Sequence, residues 1–539
     1  MRLAPQQNSL QATVLPGPSG GMDVRSPIGS MSPEDAIYLY NMMPAEYGLL
    51  LRPGYREYCI GLDNGDLDGG VRTLIPFTGV QPGPADDYLF AVTNEGMWNV
   101  TDYNNPVFVP EVVFTDTSSA AGHGVYCHFI TDAGADLLYY ADSKNGLFQF
   151  DGTTWSVPTG ITGPVISNIC FCMVHKQRIW FIEEGSSKGW YLEAGAIQGA
   201  ATEFQFGPKF THGGRLYALF NWTVDGGLGV DDFLVAISTA GDVIVYQGAD
   251  PSSADTWESR GVYYIGDIPE GRRFASEYSG DLYVLSAFGL ISMSDLLKGV
   301  DSANPAEGSL AFKIARPLRI DIQEKIDMLG WEPIFLPPLG QLLITVPKSS
   351  KDREWIQYGM NLAVEGWGLW RGVPAQCAED FAGKVYFGTP DGRVCVMDQT
   401  VDEVKITPPA LPEPNGNAIP FSILSSYTYM GTPAVFKRVQ MLRPNFFSRT
   451  EPAYEVKILY DYDYEEPSIG AEAPAIGQST WDVGLWDQAI WYSELGTGQF
   501  SLIGVAGIGR SIAVAMRGSS REPLRFISWD AMWQAGGPI

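Results

Sequence analysis

The sequence predicts an all-β protein: a β-propeller of six or seven blades, a smaller C-terminal antiparallel β domain, and an extended N-terminal arm. Three observations lead there. A strand–turn–strand unit recurs along most of the chain, marked by Phe90, Tyr140, Phe181, Ile237, Leu285, Ile344 and Phe387, at steps of 50, 41, 56, 48, 59 and 43 residues. That is the spacing of propeller blades, each of which needs four strands. Aromatics make up 12% of the chain alongside 61 Gly and 37 Pro, a composition suited to short strands and tight turns. Finally, a Pro-rich break, TPPALPEPNGNAIP at 407–420, cannot pair as a central strand and separates two textures of sequence.

In chain order, residues 1–30 are rich in Gly, Pro and Ser and read as an arm that orders only on assembly. MSPEDAIYLYNMMP then predicts a short helix, with Ser32 as N-cap, Pro33 at the first position, Glu34 and Asp35 in the first turn, and Pro44 as the stop. GLLLRPGYREY follows as a strand carrying the turn Arg52-Pro53-Gly54. This arm, helix and strand form a first region, 1–70, and the propeller occupies 71–406. Its repeats include DLLYYADSKNGLFQF and GKVYFGTPDGRVCVMD, in which Asn145-Gly146 and Asp391-Gly392 are hairpin-turn dipeptides. Sandwiches and barrels also space hairpins evenly, so another all-β arrangement is the competing fold. After the linker at 407–420, longer alternating strands over 421–539 suit a sandwich-like platform domain. Trp481, Trp486 and Trp491 stand between those strands, an aromatic load suited to an interface or a local core.

The charge is lopsided. Sixty-two acidic against 35 basic residues give a net −27, which repels nucleic acid on average and argues against ordinary sequence-reading DNA binding. No apolar run is long enough to span a membrane, and the first residues lack the basic start and apolar core of a signal peptide. Cys59, Cys127, Cys170, Cys172, Cys377 and Cys395 read as reduced, mostly buried thiols of a protein made in a cytoplasm.

Candidate chemistry is thin. Cys170, Cys172 and His175 supply a C-x-C-x-x-H set, but on a strand the two cysteines share a face and His175 points to the other. Four histidines (His123, His128, His175, His212) give little material for triads, and none sits in a G-x-S-x-G elbow or an H-E-x-x-H helix. Asp151 to Trp155, DGTTW, resembles the aspartate box of sialidase propellers, which ordinarily fixes a blade turn. Asp461, Asp463, Glu465 and Glu466 lack the Gly and closing Glu of an EF-hand loop. The glycines at 226, 227 and 229 form no phosphate cradle. No catalytic, cofactor-binding or metal-binding residue is expected, and no cofactor.

The stretches at 175–266 and 270–297 (EGRRFASEYSGDLYVLSAFGLISMSDLL), and the opening GGMDVRSPIGSMSPEDAIYLYNMMPAEYGLLLRPGY, strongly resemble podovirus tail nozzle proteins, also called tail tubular protein B or phage stabilisation proteins. The resemblance weakens after residue 400. It implies a non-enzymatic structural protein of the bacteriophage virion tail, made and assembled in the host cytoplasm. It further implies a homo-hexamer below the portal–adaptor ring, contacts to tail fibres or spikes, and a channel that passes DNA without sequence-specific binding. The family brings no catalytic residues with it. The alternative is a peripheral glycan-binding or glycan-degrading tail propeller, which requires converging carboxylates and aromatics. A host repeat-scaffold propeller would carry cleaner repeat signatures than these.

Overall fold

The computed structural model describes residues 10–62, 70–79, 86–101, 110–131, 134–225, 230–253, 255–299, 309–406, 415–449, 452–464, 497–499 and 502–538. Trp481, Trp486 and Trp491, Glu465 and Glu466, the glycines at 226–229 and most of the Pro-rich linker lie outside them. The chain forms two compact units. One comprises Glu57–Ile356 and Gly372–Val396, the other Met1–Arg56, Gln357–Arg371 and Met397–Ile539.

The first unit is a propeller. Seven inner strands, each paired antiparallel with the strand that follows it, begin its blades: Thr73–Phe77, Val125–Ile130, Ile169–His175, Leu216–Asp225, Ala275–Tyr278, Glu332–Leu336 and Cys377–Phe381. Each lies beside the next, and the seventh returns to the first, closing the ring. The seven marker residues all fall on the second strands of the blades and are fully buried. The repeat was therefore detected through the strand that is covered on both faces. Blades 1–4 have four strands, whereas blade 5 has three and continues into the helix Met293–Leu297. Ser292 caps that helix by accepting a hydrogen bond from the Asp295 N–H at 3.2 Å. Asn145 and Asp391 do precede turn glycines with φ of +82° and +68°.

Blade 7 draws on both ends of the unit. Tyr58 and Cys59 pack with Val394, Val396 and Tyr386 of blade 7, and with Leu74, Leu89 and Trp98 of blade 1. Arg393 and Glu57 add an ion pair at 3.0 Å. The propeller therefore starts at residue 57, ahead of the boundary expected at 71.

The second unit is a β-sandwich. One sheet runs Thr497–Gln499, Val435–Phe447, Arg525–Pro538, Gly48–Leu51, Met42–Ala45. The facing sheet contains Gly366–Arg371, Asp35–Tyr40, Ile419–Ser425, Ile512–Ser520 and Ala453–Tyr460 in that order. Leu442, Phe446, Phe526 and Trp529 from the first meet Leu39, Phe421, Ile458 and Val514 from the second. The C-terminal strands thus share a core with the N-terminal segment and do not form a domain of their own over 421–539.

Two further expectations are corrected. The segment expected as a helix is the strand Asp35–Tyr40, antiparallel to Ile419–Ser425 and parallel to Gly21–Met22. Its Ile-Tyr-Leu-Tyr run is β-prone and buried on both faces, so tertiary pairing overrides the capping signal. Ser32 instead makes a turn, its hydroxyl accepting from Glu34 N–H at 3.3 Å and its carbonyl from Asp35 N–H at 3.0 Å. Within the arm, Gln11–Pro16 is a strand paired antiparallel with Arg525–Pro538, and Trp533 Nε1 donates to Thr13 Oγ1 at 3.0 Å. This part of the arm has its strand partner within the chain.

A polar node ties the sandwich segments together. The buried Arg52 guanidinium donates to both Asp402 oxygens at 2.8 and 2.6 Å, and to Asn41 Oδ1 at 2.9 Å. Asn41, held at a φ of +58°, also donates to the Pro420 carbonyl at 2.8 Å and accepts from Arg371 N–H at 2.7 Å. Gly54 is required beside it, because a Cβ there would meet the Val401 carbonyl oxygen at 2.1 Å. Removing the carboxylate strands a buried cation. Asp402→Ala is expected to destabilise the sandwich by about 3–5 kcal/mol. Chemical denaturation followed by tryptophan fluorescence should show this as a lower midpoint, and a loss under about 1 kcal/mol would contradict it.

Candidate functional site

The inner strands of a propeller bring one side chain per blade towards the axis, so any central site must be assembled from residues far apart in sequence. Here they enclose an axial cavity of about 290 Å³, lined by Tyr126, Phe220, Asn221, Glu277, Glu332 and Glu379 among others. Its polar groups are joined blade to blade.

Arg272 and Arg273 precede the short inner strand of blade 5 and reach in different directions. Arg272 Nη2 donates to Glu184 of blade 3 at 2.6 Å. The same guanidinium bonds the Tyr217 carbonyl of blade 4 and lies 4.7 Å from the Tyr217 ring centroid. Arg273 Nε pairs with Glu332 Oε1 of blade 6 at 3.3 Å, and its Nη2 donates to the Arg72 carbonyl, at the start of blade 1, at 2.6 Å. Across the axis, Tyr126 OH of blade 2 donates to Glu379 Oε2 of blade 7 at 2.7 Å. Desolvation dominates the titration of these acids. It raises Glu332 above the ordinary carboxylate range despite Arg273, and carries Glu379 up to about 8. The cluster works as a set of cross-blade ties.

The residues singled out by sequence are scattered. Blade 3's inner strand has a register shift between Ile169 and Phe171, which takes Cys170 out of alternation. Cys170 Sγ therefore turns to the Ile182 carbonyl of its own blade, and Cys172 Sγ to the Val125 and Tyr139 carbonyls of blade 2. The two do not share a face, contrary to simple alternation. Burial pushes the Cys59, Cys170 and Cys377 thiols up to about 12, which keeps them protonated, and all three are buried as the sequence suggests. His175 Nδ1 pairs with Asn221 Oδ1 at 2.7 Å, and burial drops its pKa to about 4. His128 Nε2 sits 2.9 Å from the Pro76 carbonyl.

Asp151 makes the turn expected of DGTTW, accepting from the N–H groups of Thr153 and Thr154 at 2.9 and 2.8 Å. Asp461 accepts from the Arg510 and Ser511 N–H groups at 2.7 and 3.1 Å. Among the described residues no group of acidic, His or Cys side chains is arranged to hold a metal. Arg272 and Arg273 match no site motif, although consecutive arginines ahead of a short strand in an acidic chain are a visible signal. The His212–Asp242 pair at 2.7 Å joins residues 30 apart and leaves no local pattern. The buried Asp242 accepts there from His212 N–H and Thr211 Oγ1 as well, anchoring the loop into blade 4.

No family model and no curated protein matches the chain. Among solved structures it is similar to YCF48 bound to a D1 peptide, at 10% identity and a TM-score of 0.36 over 66% of this chain and 97% of that one. The computationally designed Ika8 protein matches at 7% identity and a TM-score of 0.33, over 67% and 96% of the two chains. A BBS1N chain crystallised with ARL6DN matches at 9% identity and a TM-score of 0.27, over 40% of this chain and 62% of that one. Likeness at this level concerns fold and says nothing of activity.

Glu379 gives a pH test. Its folded-state pKa, raised to about 8, lies above the unfolded value, so the stability it contributes is present at acid pH and is lost as pH rises through that window. Glu379→Gln is expected to flatten the fall in stability between about pH 5 and pH 8, by up to about 1.4 kcal/mol per pH unit. Denaturation midpoints at several pH values would read this, and an unchanged slope would refute it.

Proposed function

We propose that this protein is a structural subunit of a short-tailed bacteriophage tail nozzle. In this reading it forms a hexameric ring below the portal and adaptor that lines and closes the DNA-ejection channel. One observation beyond the sequence resemblance supports it: around the axial cavity, Arg272, Arg273, Glu332 and Glu379 take part in ties that run from blade to blade. A propeller built this way is a rigid pillar, and its short protected edges suit a permanent wall.

The charge supports the same reading. The chain carries a net −27, and the part of it that faces the lumen repels the DNA backbone and does not neutralise phosphates, so the wall does not become an adhesive sleeve. At physiological salt that repulsion extends over roughly 8 Å, so it acts on DNA within the tube and not beyond it. No helix among the described residues is long and apolar enough to cross a membrane. The partners are five further copies, the portal–adaptor ring and tail fibres or spikes, and the location is the virion tail.

Negative-stain imaging of the purified protein, alone and mixed with a portal–adaptor complex, tests this. Six-fold rings or a tube seated on the adaptor are expected. A protein that stays monomeric and ignores the adaptor would overturn the nozzle reading in favour of a peripheral receptor-binding propeller.

A further inference from the structure

Six of the seven blades line the axial cavity, and three consecutive ones each supply an acid: Glu277 from blade 5, Glu332 from blade 6 and Glu379 from blade 7. Glu332 is buried, and its Oε2 has no hydrogen-bond partner. That oxygen is covered, so it acts on the cavity through its charge alone. Glu277 and Glu379 are the acids a ligand can reach, the first exposed and the second half-buried. Among the described residues Glu277 has no hydrogen-bond or ion-pair partner.

Two arginines also border the cavity, and both are committed elsewhere. Arg272 is buried, with Glu184 at 2.6 Å as its counter-ion and the Tyr217 carbonyl as a further acceptor. Arg273 pairs with Glu332 at 3.3 Å and donates to the Arg72 carbonyl at 2.6 Å. With each guanidinium set against one carboxylate, Glu277 and Glu379 are left over and the lining keeps an excess of negative charge. The field around them has the same sign. At Glu379 the repulsion from Glu332 outweighs the attraction of Arg273, while Tyr126 donates a hydrogen bond. At Glu277 the neighbouring charge is another acid, Asp232. Burial is the largest cause at both, and it raises Glu277 to about 7 and Glu379 to about 8. A cation arriving in the cavity would meet acids that lack one.

We propose that the axial cavity binds a small aliphatic diamine, its two ammonium groups held by Glu277 and Glu379 and its methylenes lying against Phe220 and Ile334. The chemistry selects this class. The accessible wall beside the acids is apolar and aromatic, with Tyr126, Phe220 and Ile334, which suits an alkyl chain and favours ammonium over a hydrated metal ion. Blade 6 stands between the two acids, and the described acids are not grouped as the ligands of a metal would be. The walls are held by the blade-to-blade ties before any ligand arrives, so little freedom is lost on binding. The site is independent of the nozzle reading, since imaging reads ring formation and titration reads the cavity.

The test is calorimetric titration of the full chain with putrescine at low ionic strength, with butane-1,4-diol as the neutral analogue and succinate as the anionic one. Saturable binding of putrescine is expected, with a Kd on the order of 1 mM. It should tighten about tenfold or more from about pH 6 to about pH 8, because the cation favours the ionised acids and displaces their protons. Glu277→Gln and Glu379→Gln should each weaken binding about tenfold and flatten that pH dependence, Glu277→Gln with little change in thermal unfolding. No saturable binding up to about 50 mM would overturn the proposal. So would equal binding of the diol or of succinate. Affinity indifferent to both substitutions would also overturn it, marking diffuse attraction to a chain of net charge −27.

Discussion

A propeller is a ring, and a ring of sheets holds together only if every blade is tied to its neighbour and the last to the first. In this protein the ties at the axis are charged. Arg272 joins blade 5 to blades 3 and 4, and Arg273 joins blade 5 to blades 6 and 1. Blade 5 has the shortest sheet of the first five, with three strands, and it carries both arginines. A sheet with less of its own hydrogen bonding is thereby the one most heavily anchored to the rest. Buried ion pairs contribute little net stability against an apolar isostere, because desolvation offsets the Coulomb gain. Their value here lies in direction, since a guanidinium satisfied on several sides admits few alternative blade arrangements.

Closure at the seam rests on apolar packing. Residues 57–59 complete the core shared by blades 7 and 1, and in doing so they commit the chain's early residues before the seventh blade is made. Five residues upstream, Arg52 occupies the polar node of the sandwich. One short stretch, RPGYREYC, therefore serves both units in succession.

The sandwich draws strands from both ends of the chain and from the insertion Gln357–Arg371. Gln11–Pro16 lies along the same side of the long Arg525–Pro538 strand as Gly48–Leu51. Such a unit cannot form until the strand Arg525–Pro538 has been made. Its core, with Trp529 and Phe526 against Phe421 and Met516, is apolar and well covered. This arrangement gives the two units different folding demands: the propeller repeats can pair locally as they emerge, whereas the sandwich depends on contacts of the largest sequence separation.

What the sequence determined by itself was the class and the period. The buried second strands, from Phe90 to Phe387, are apolar runs that return every 41 to 59 residues, and spacing is a one-dimensional property that needs no partner to be seen. The same holds for the turn at Asp151 and the Gly turns after Asn145 and Asp391, where the side chain and backbone of a few neighbours decide the outcome. Tertiary structure decided the rest. Asp35–Tyr40 carries a local helix-start signal and becomes a strand because two sheet neighbours, one from nearly 400 residues away, pair with it. The bulge at Cys170 reverses a side chain that alternation would have placed beside Cys172. The axial ties and the cavity they border combine residues from five or more blades, so no local pattern could announce them. Local chemistry writes turns and periods, while partners chosen across the fold decide which strand is covered and which buried polar atom is left to be satisfied.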